Sequence, residues 1–334
     1  MPSVISASRE GDTATAPAAP ATAGPALHRP LAVFSAAMAV VTLGTLVGLA
    51  VDDRVLNGAP IWLKPLHFAF SLAVYGLTLA WLLPRVTRFP RTAWWAGTLI
   101  ALSSLAEMAI IGIQAGRGTF SHFNKTTDVN TAFMNGMTVA VIVLWSSNFL
   151  AGVLVLRDRS MPVTLRWGVR LGLWLAVIGM ALGMLMNPPT PEQQQALDAG
   201  LPTLVGAHNV GVADGGPGMP LTNWSTVGGD LRIPHFVGIH ALQVLPLVAL
   251  ALMRAGRRRR GSLLADEKVA TGLVVVLGAF WAGLVALVTW QALRGQSLVH
   301  PDTATLGASG ALLAAAAVAA VAVLGAGRSR AARG

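Results

Sequence analysis

Long apolar runs separated by short polar segments dominate the pattern of this chain. Each of eight runs is bounded by charged residues, Pro or Gly, and each is close to the roughly 20 residues with which a helix crosses a bilayer. The runs lie near residues 31–51, 62–83, 94–114, 131–156, 167–187, 235–253, 270–292 and 305–326. The pattern therefore predicts an all-α, polytopic integral membrane helix bundle of about eight transmembrane helices.

The composition supports this interpretation. Of the 334 residues, 54% are hydrophobic and 11% are charged, whereas a soluble domain carries about 25% charged residues. The chain has no cysteine, so disulfides and thiolate ligands are excluded. Any metal site would have to use His, carboxylate or amide ligands.

Three regions are expected along the chain. Residues 1–28 are rich in Ala, Pro and Thr, with almost nothing to bury, which is typical of a disordered tail. Residues 29–327 should form a single transmembrane domain with a long outer loop at 188–233, and residues 328–334 a basic tail. A connection as long as this outer loop is usually either a functional lid or disordered.

The distribution of Lys and Arg predicts the orientation of the helices, because cytoplasmic loops carry an excess of basic residues. Of the 24 basic residues, one set of alternate loops has only six, namely Arg54, Lys64, Arg117, Lys125, Arg232 and Arg294. The other set, which includes both termini, is therefore predicted to be cytoplasmic. The net charge of +10 is then explained by the membrane topology. Nothing else in the sequence indicates nucleic-acid binding. The expected partners are the lipid bilayer and a small-molecule or lipid ligand.

Polar residues collect on the opposite side, which we call the outer side. Six of the seven histidines are predicted to lie there or in the outer half of a span: His67, His122, His208, His235, His240 and His300. In the second apolar run, Lys64, His67, Ser71 and Tyr75 recur at steps of three and four, so they share one helix face. Lipid would penalise this stripe, so it should face the bundle interior. It would serve there as a ligand-lining face or as a hydrogen-bonding face between helices.

Glu107 is the only acidic residue predicted within a span. It lies two turns before Gln114 and shares a helix face with it. Ionisable groups inside a membrane are costly and count as functional candidates; a protonated Glu bonded to a neighbouring helix is the alternative. Arg117, His122 and Asn124 follow in a glycine-bearing segment that could fold back over the helix end.

The densest polar motif is GDLRIPHFVGIHALQ. It places His235 at the beginning of a helix, with Asp230 and Arg232 at the same outer level. His240 is five residues further on, about 7.5 Å deeper and about 140° around the axis, so a regular helix cannot place both histidines on one ion. His240 and Gln243 do share a face. His240 is either a ligand or proton-transfer group, or a hydrogen-bonded structural residue.

These residues define one candidate site on the outer side. Glu107 and His240 are the candidate catalytic or proton-transfer residues, and His122, His235 and His240 are the candidate metal ligands. The candidate ligand- or anion-binding residues are Lys64, Gln114, Arg117, Asn124, Asp230, Arg232, Gln243 and Arg294. The arginines among them would neutralise carboxylates, propionates or phosphates, or would instead hold the loops by pairing with aspartates.

Four strings of the sequence resemble a family of uncharacterised bacterial multi-pass membrane proteins. They are KPLHF, E-x6-Q-x-x-RG-x-x-SHFN, GDLR-x-PHF-x-G-x-HALQ and WQALRGQ. The resemblance extends from about residue 60 to residue 300, and it implies a membrane protein without implying an activity. The plan of eight helices with outer histidines is also similar to that of haem A synthases. The loop glutamate–histidine–arginine motif of those enzymes has no match here, so that similarity concerns the architecture alone.

Three functions are open at this point for a multi-pass protein of the cell membrane. The first is a metal- or haem-binding oxidoreductase, because His and carboxylate ligands suit iron, copper or zinc and paired His suits haem. The second is a proton-coupled small-molecule transporter with Glu107 and His240 as the relay, although the inner halves of the spans have few polar residues. The third is a non-catalytic ligand-binding membrane protein. Nucleotide-binding and G-x-S-x-G motifs are not evident.

Overall fold

The computed structural model describes residues 26–259 and 261–333 of the chain. Across them it is an all-α bundle with eight helices long and apolar enough to cross a membrane. These are α1 (Arg29–Val51), α2 (Leu63–Leu82), α3 (Pro90–Gly116), α4 (Asp128–Arg157), α5 (Val163–Leu182), α7 (Arg232–Arg258), α8 (Glu267–Leu293) and α9 (Thr303–Ala331). The predicted polytopic bundle is thus confirmed. Of the expected tail, residues 1–25 lie outside the described residues.

Apolar side chains cover the outside of the bundle. On α1, Val33, Val40 and Val47 are 70%, 69% and 61% exposed, and their spacing of seven places them on one helix face. On α9, Val318 and Val321 are 70% and 68% exposed. A water-soluble protein rarely exposes contiguous apolar surface of this extent, whereas hydrocarbon solvates it. The fold is that of a multi-span membrane protein.

Helices α5 and α7 pack with their backbones almost in contact. A Cβ on Gly179 would lie 2.6 Å from the carbonyl carbon of Gly238, and one on Gly172 would lie 2.7 Å from the carbonyl oxygen of Ala241. Only glycine fits at such distances, and small residues of this kind favour close helix association in lipid. Helix α8 also packs against α7, where Trp281 of α8 donates from Nε1 to the carbonyl oxygen of Val237 at 2.8 Å. These contacts fix the depth of the outer half of α7.

The inner end of the polar stripe on α2 faces the bundle interior, as its spacing predicts. Tyr75 is 7% exposed, and its hydroxyl donates a hydrogen bond to Oδ1 of Asn148 on α4. Asn148 in turn donates to the carbonyl oxygen of Leu144, at 2.8 Å. The stripe is therefore a hydrogen-bonding face between helices at this depth. At its outer end, Lys64 and His67 are only half-buried.

The long outer connection is folded. We call residues 188–231 the outer cap. The cap contains α6 (Pro191–Asp198) and the paired strands β3 (Asn209–Val210) and β4 (Gly229–Asp230). A second pair, β1 (Val55–Leu56) and β2 (Ala59–Pro60), forms a hairpin between α1 and α2.

Backbone hydrogen bonds attach the outer cap to the bundle. Val205 donates to the carbonyl oxygen of Phe123 at 2.7 Å, and Ala207 donates to that of Met186 at 2.9 Å. At the end of the cap, Leu231 donates to the carbonyl oxygen of His208 at 2.9 Å. The sequence predicts that this loop is either a lid or a disordered segment. In the structure it is ordered and covers this end of the bundle.

Two boundaries differ from those predicted. The outer connection ends before Arg232, where α7 begins, and not at residue 233. At the other end of the chain, α9 continues to Ala331, so residues 328–331 are helical and not part of a separate basic tail. Cations in the last turn of a helix are favourable because of its dipole, and Arg330 pairs with Asp266 at 2.8 Å.

His28 belongs to the folded domain and not to the tail predicted over residues 1–28. It is 4% exposed and is the N-cap of α1, where its Nδ1 accepts from the backbone N–H of Leu31 at 3.3 Å. Its Nε2 donates to the carbonyl oxygen of Trp94 at 2.9 Å. The sequence does not predict that an imidazole caps this helix, because Ser, Thr, Asp and Asn are the usual N-cap residues.

The orientation can be tested with single cysteines, because the chain has none. Ala199 and Ser329 are both exposed, and they lie at opposite ends of the bundle. In intact cells, a membrane-impermeant maleimide should label Ala199→Cys, whereas Ser329→Cys should react only after permeabilisation. The reverse result would overturn the assignment of the outer side.

Candidate functional site

Glu107 and His122 face each other beneath the outer side of the bundle. The Glu107 side chain on α3 is 9% exposed, and its Oε1 lies 4.0 Å from Nε2 of His122 in the α3–α4 connection. Oγ of Ser121 lies 3.0 Å from Nδ1 of the same imidazole, and the ring packs beside Phe68 with centroids 5.8 Å apart. Among the described residues, no hydrogen bond to the Glu107 carboxylate is present. The carboxylate is thus free to accept one from a bound molecule.

The electrostatic surroundings of His122 favour its neutral form. Burial lowers the pKa of His122 well below its ordinary value, and the charge of Lys64 and the neighbouring His208 and His235 lower it further. The four groups are therefore close enough to affect one another. Neutral imidazole can accept a proton or bind a metal at one nitrogen.

Lys64 is a cation without an ion pair in this part of the structure. It lies in the first turn of α2 and is half-buried, with its Nζ 6.0 Å from the centroid of the Phe68 ring. Among the described residues, no carboxylate lies within 4.0 Å of its Nζ. Since Phe68 also contacts His122, the ammonium, the aromatic ring and the imidazole form one wall.

His208 and Asp214 form a hydrogen-bonded pair within the outer cap. Asp214 accepts from Nδ1 of His208 at 2.8 Å and from the backbone N–H groups of His208 and Asn209 at 3.0 and 2.8 Å. Burial acts to raise the pKa of Asp214, but these hydrogen bonds outweigh it and lower the pKa to about 2. Burial is also the main cause that lowers the pKa of His208. The neutral ring donates from Nδ1 to the carboxylate, which leaves the Nε2 lone pair available.

Phe123 joins this pair to the Glu107–His122 pair. Its ring centroid is 6.0 Å from that of His122 and 5.2 Å from that of His208. On α7, His235 donates from Nδ1 to the carbonyl oxygen of Gly179 at 2.8 Å, so its Nε2 lone pair is also available. The close packing of α5 and α7 makes that carbonyl accessible.

His240 and Gln243 lie in a separate aromatic group. The His240 ring packs on Phe236 with centroids 4.2 Å apart, and Phe236 in turn packs against Trp224. The amide of Gln243 donates to Nδ1 of His240 at 3.3 Å, whereas the buried Nε2 has no partner in the described chain. His240 is thus positioned mainly by packing, and no contact between described residues joins it to Glu107.

Gln114 and Arg117 stabilise the connection between α3 and α4. Arg117 donates from Nη1 to Oε1 of Gln114 at 2.5 Å and to Oδ1 of Asn130 at 3.0 Å. Gln114, which is fully buried, donates to the carbonyl oxygen of Phe120 at 3.2 Å. Asn124 donates to that carbonyl as well, also at 3.2 Å. The polar groups of these predicted ligand-binding residues are engaged with one another and with the loop backbone.

Arg232 and Arg294 are both paired. Arg232 donates to Asp230 from Nε and Nη2, at 3.0 and 2.6 Å, and the Asp230 side chain is completely buried. Arg294 pairs with Asp302, which caps the first turn of α9. Of the two alternatives for the outer arginines, pairing that holds the loops describes these two. Both arginines, like Gln114, Arg117 and Asn124, therefore support the loops on this side of the bundle.

Among the described residues, no three His, Asp or Glu side chains are grouped closely enough to hold a metal ion. His235 is close enough to His122 to influence it, and His240 is close enough to His235, but the three do not group around one position. The sequence predicts His208 as an outer histidine but not as a site residue, and no pattern in it points to Asp214. Six residues separate the two in a glycine-rich loop, so no helical or strand period could relate them.

No protein-family model matches the chain, and no curated protein or solved structure is significantly similar to it. The fold defines the class, a polytopic all-α membrane protein, and Glu107 and His122 face each other on one side of it.

Acid should loosen the outer cap. His122 and His208 both have a pKa below the ordinary 6.5 in the folded protein. As the pH falls below about 6.5, the unfolded chain therefore binds more protons than the folded protein does. Stability then falls by up to about 1.4 kcal/mol per pH unit for each histidine. Limited proteolysis of the cap should accelerate between pH 7.5 and 5.5, and much less so in a His122→Gln/His208→Gln variant. His300→Gln is the control on the same side, and equal acceleration in all three proteins would contradict this account.

Proposed function

We propose that this chain is a cell-membrane protein whose outer site binds a small anionic molecule and exchanges a proton with it. The observation that carries the proposal is the arrangement of Glu107 and His122. Their side chains face each other at 4.0 Å, without a hydrogen bond to the carboxylate among the described residues. Beside them lies the ammonium group of Lys64, and the folded cap closes the outer end.

The site offers three kinds of contact to a ligand. Lys64 would bind its anionic group, since a charge-assisted hydrogen bond is roughly twice as strong as a neutral one. Phe68 and Phe123 provide apolar surfaces next to His122. Glu107 and His122 would donate or accept a proton at the polar centre of the ligand. A carboxylate or phosphate with an apolar portion, entering from the outer leaflet, fits these contacts.

The strings that resemble the bacterial membrane-protein family support the choice of site. Lys64 and Phe68 come from KPLHF, His122 and Phe123 from SHFN, and His235 from the PHF motif. Segments far apart in the chain thus contribute their polar and aromatic residues to one place. Membership of that family is part of the proposal.

The anion-binding role of Lys64 can be tested with radiolabelled dodecanoate and the purified full chain in a neutral detergent. Lys64→Gln should weaken binding by about 10- to 100-fold, because it removes a charge-assisted hydrogen bond of about 1.5–3 kcal/mol. Lys125→Gln is the matched control, since Lys125 is an exposed outer lysine. Equal affinities in the wild type and the Lys64 variant would refute the assignment. For the proton, the carboxylic-acid band that titrates in infrared difference spectra should disappear in Glu107→Gln.

A single transition-metal ion is the second candidate ligand. The observation in its favour is that His208 and His235 both donate from Nδ1, to a carboxylate and to a backbone carbonyl. Metal-binding histidines are held in the same way, which directs Nε2 to the ion. Because no described group of three ligands is preformed, the side chains would have to move together on binding. No contact among the described residues favours haem over a single ion.

Elemental analysis of the tag-free protein distinguishes the metal from the anion. If a metal ion is bound, about one equivalent should be present, and Asp214→Asn should reduce the affinity about 10- to 100-fold because it removes the support of His208. His300→Gln should retain the metal, since His300 is an exposed outer histidine. A metal-free protein that still binds dodecanoate would eliminate this candidate and leave the first intact.

A further inference from the structure

A polar cleft of about 600 Å³ lies on the side predicted to be cytoplasmic. It forms where the connection between α2 and α3 meets the connection between α4 and α5. Its lining consists of Thr87, Arg88, Leu156, Arg157, Asp158, Arg159 and Ser160. None of these residues belongs to the outer site.

Asp158 forms a fixed floor for the cleft. It is 3% exposed and accepts from the backbone N–H groups of Thr87, Arg88 and Ser160 at 2.6, 3.0 and 2.8 Å. Burial acts to raise the pKa of Asp158, but the hydrogen bonds outweigh it and lower the pKa to about 2. Arg170 binds the adjoining backbone, with its Nη2 donating to the carbonyl oxygen of Asp158 at 3.1 Å. The carboxylate thus joins the two connections and is satisfied by their backbone.

The three arginines of the cleft have no such partner. Arg88, Arg157 and Arg159 are exposed, and no carboxylate lies within 4.0 Å of their guanidinium groups in the described chain. Three cations therefore share one cleft with a single carboxylate that already accepts three backbone hydrogen bonds. Arginine presents several donors in a planar arrangement that suits a phosphate group.

Aromatic side chains indicate that this end of the bundle lies at the level of the lipid headgroups. Phe89, Trp94 and Trp95, which follow Arg88 in the chain, are 52%, 43% and 59% exposed. Tryptophan concentrates at membrane–water interfaces, where its ring meets both hydrocarbon and polar headgroups. Leu156, which lines the cleft, is 45% exposed. An apolar edge beside three cations matches a molecule with a phosphate and an acyl chain.

We propose that this cleft is a binding site for an anionic phospholipid of the cytoplasmic leaflet, with Arg88, Arg157 and Arg159 on the phosphate and Leu156 against the start of an acyl chain. The bulk positive charge of cytoplasmic loops attracts such lipids everywhere along the surface. The site differs from this general attraction in its fixed floor, the buried Asp158, and in the three arginines that line one cleft.

The test measures binding of phosphatidylglycerol to the full chain in neutral detergent by native mass spectrometry. The triple variant Arg88→Gln/Arg157→Gln/Arg159→Gln should bind it about 100-fold more weakly, at roughly fivefold for each arginine removed. The matched control is Arg254→Gln/Arg257→Gln/Arg258→Gln, which removes the same charge from the exposed cytoplasmic end of α7. It should change the affinity by less than about threefold. Equal losses in both variants would show a non-specific charge effect and overturn the proposal.

Two further arms cover the other outcomes. Inorganic phosphate and phosphatidylcholine are measured in parallel, and the proposal fails if phosphate displaces phosphatidylglycerol at equal concentration or if phosphatidylcholine binds equally well. If the triple variant does not fold, the three single variants replace it, and each should show a partial loss. A lysine triple variant should bind more tightly than the glutamine one, because it retains the charge without the planar donors. Single variants that all bind as the wild type does would also reject the site.

Discussion

The requirement that hydrocarbon imposes on a polypeptide is the constraint on which the rest of this structure depends. A chain can cross the membrane only if its backbone polar groups are bonded internally, so each crossing is a helix. Side chains towards lipid must then be apolar, as Val33, Val40 and Val47 are on α1. Polar chemistry is left with two places, the interior of the bundle and its ends. The pair of Glu107 and His122 and the cleft lined by Arg88, Arg157 and Arg159 lie at the two ends.

Close helix packing converts this general constraint into a specific site. Because Gly179 and Gly238 allow α5 and α7 almost to touch, the carbonyl oxygen of Gly179 can hold the imidazole of His235. The outer cap then rests on Phe123 through a backbone hydrogen bond and brings His208 against its ring. The site is therefore built on rigid helix ends and completed by an ordered connection.

Pairing identifies several of the charged residues that support the structure. Arg232 and Arg294 each pair with an aspartate, and Arg117 donates to Gln114 and Asn130. Lys64 has no carboxylate within 4.0 Å among the described residues, and neither do the three arginines of the cleft. The same criterion separates Glu107 from Asp230, which is buried but bonded.

The sequence by itself determined the number of spans and the side on which polar residues collect, and it singled out Glu107 and His122 as candidates. Those conclusions depend on hydropathy, charge counts and helical period, all of which are local properties. Only the tertiary structure brought His208 and Asp214 next to Phe123, packed His240 against Phe236, and showed that most of the predicted ligand-binding residues hold loops. Such contacts join segments that are distant or irregular in the chain, and their partners are selected by helix packing and loop closure. Residue patterns along the chain therefore do not predict these contacts.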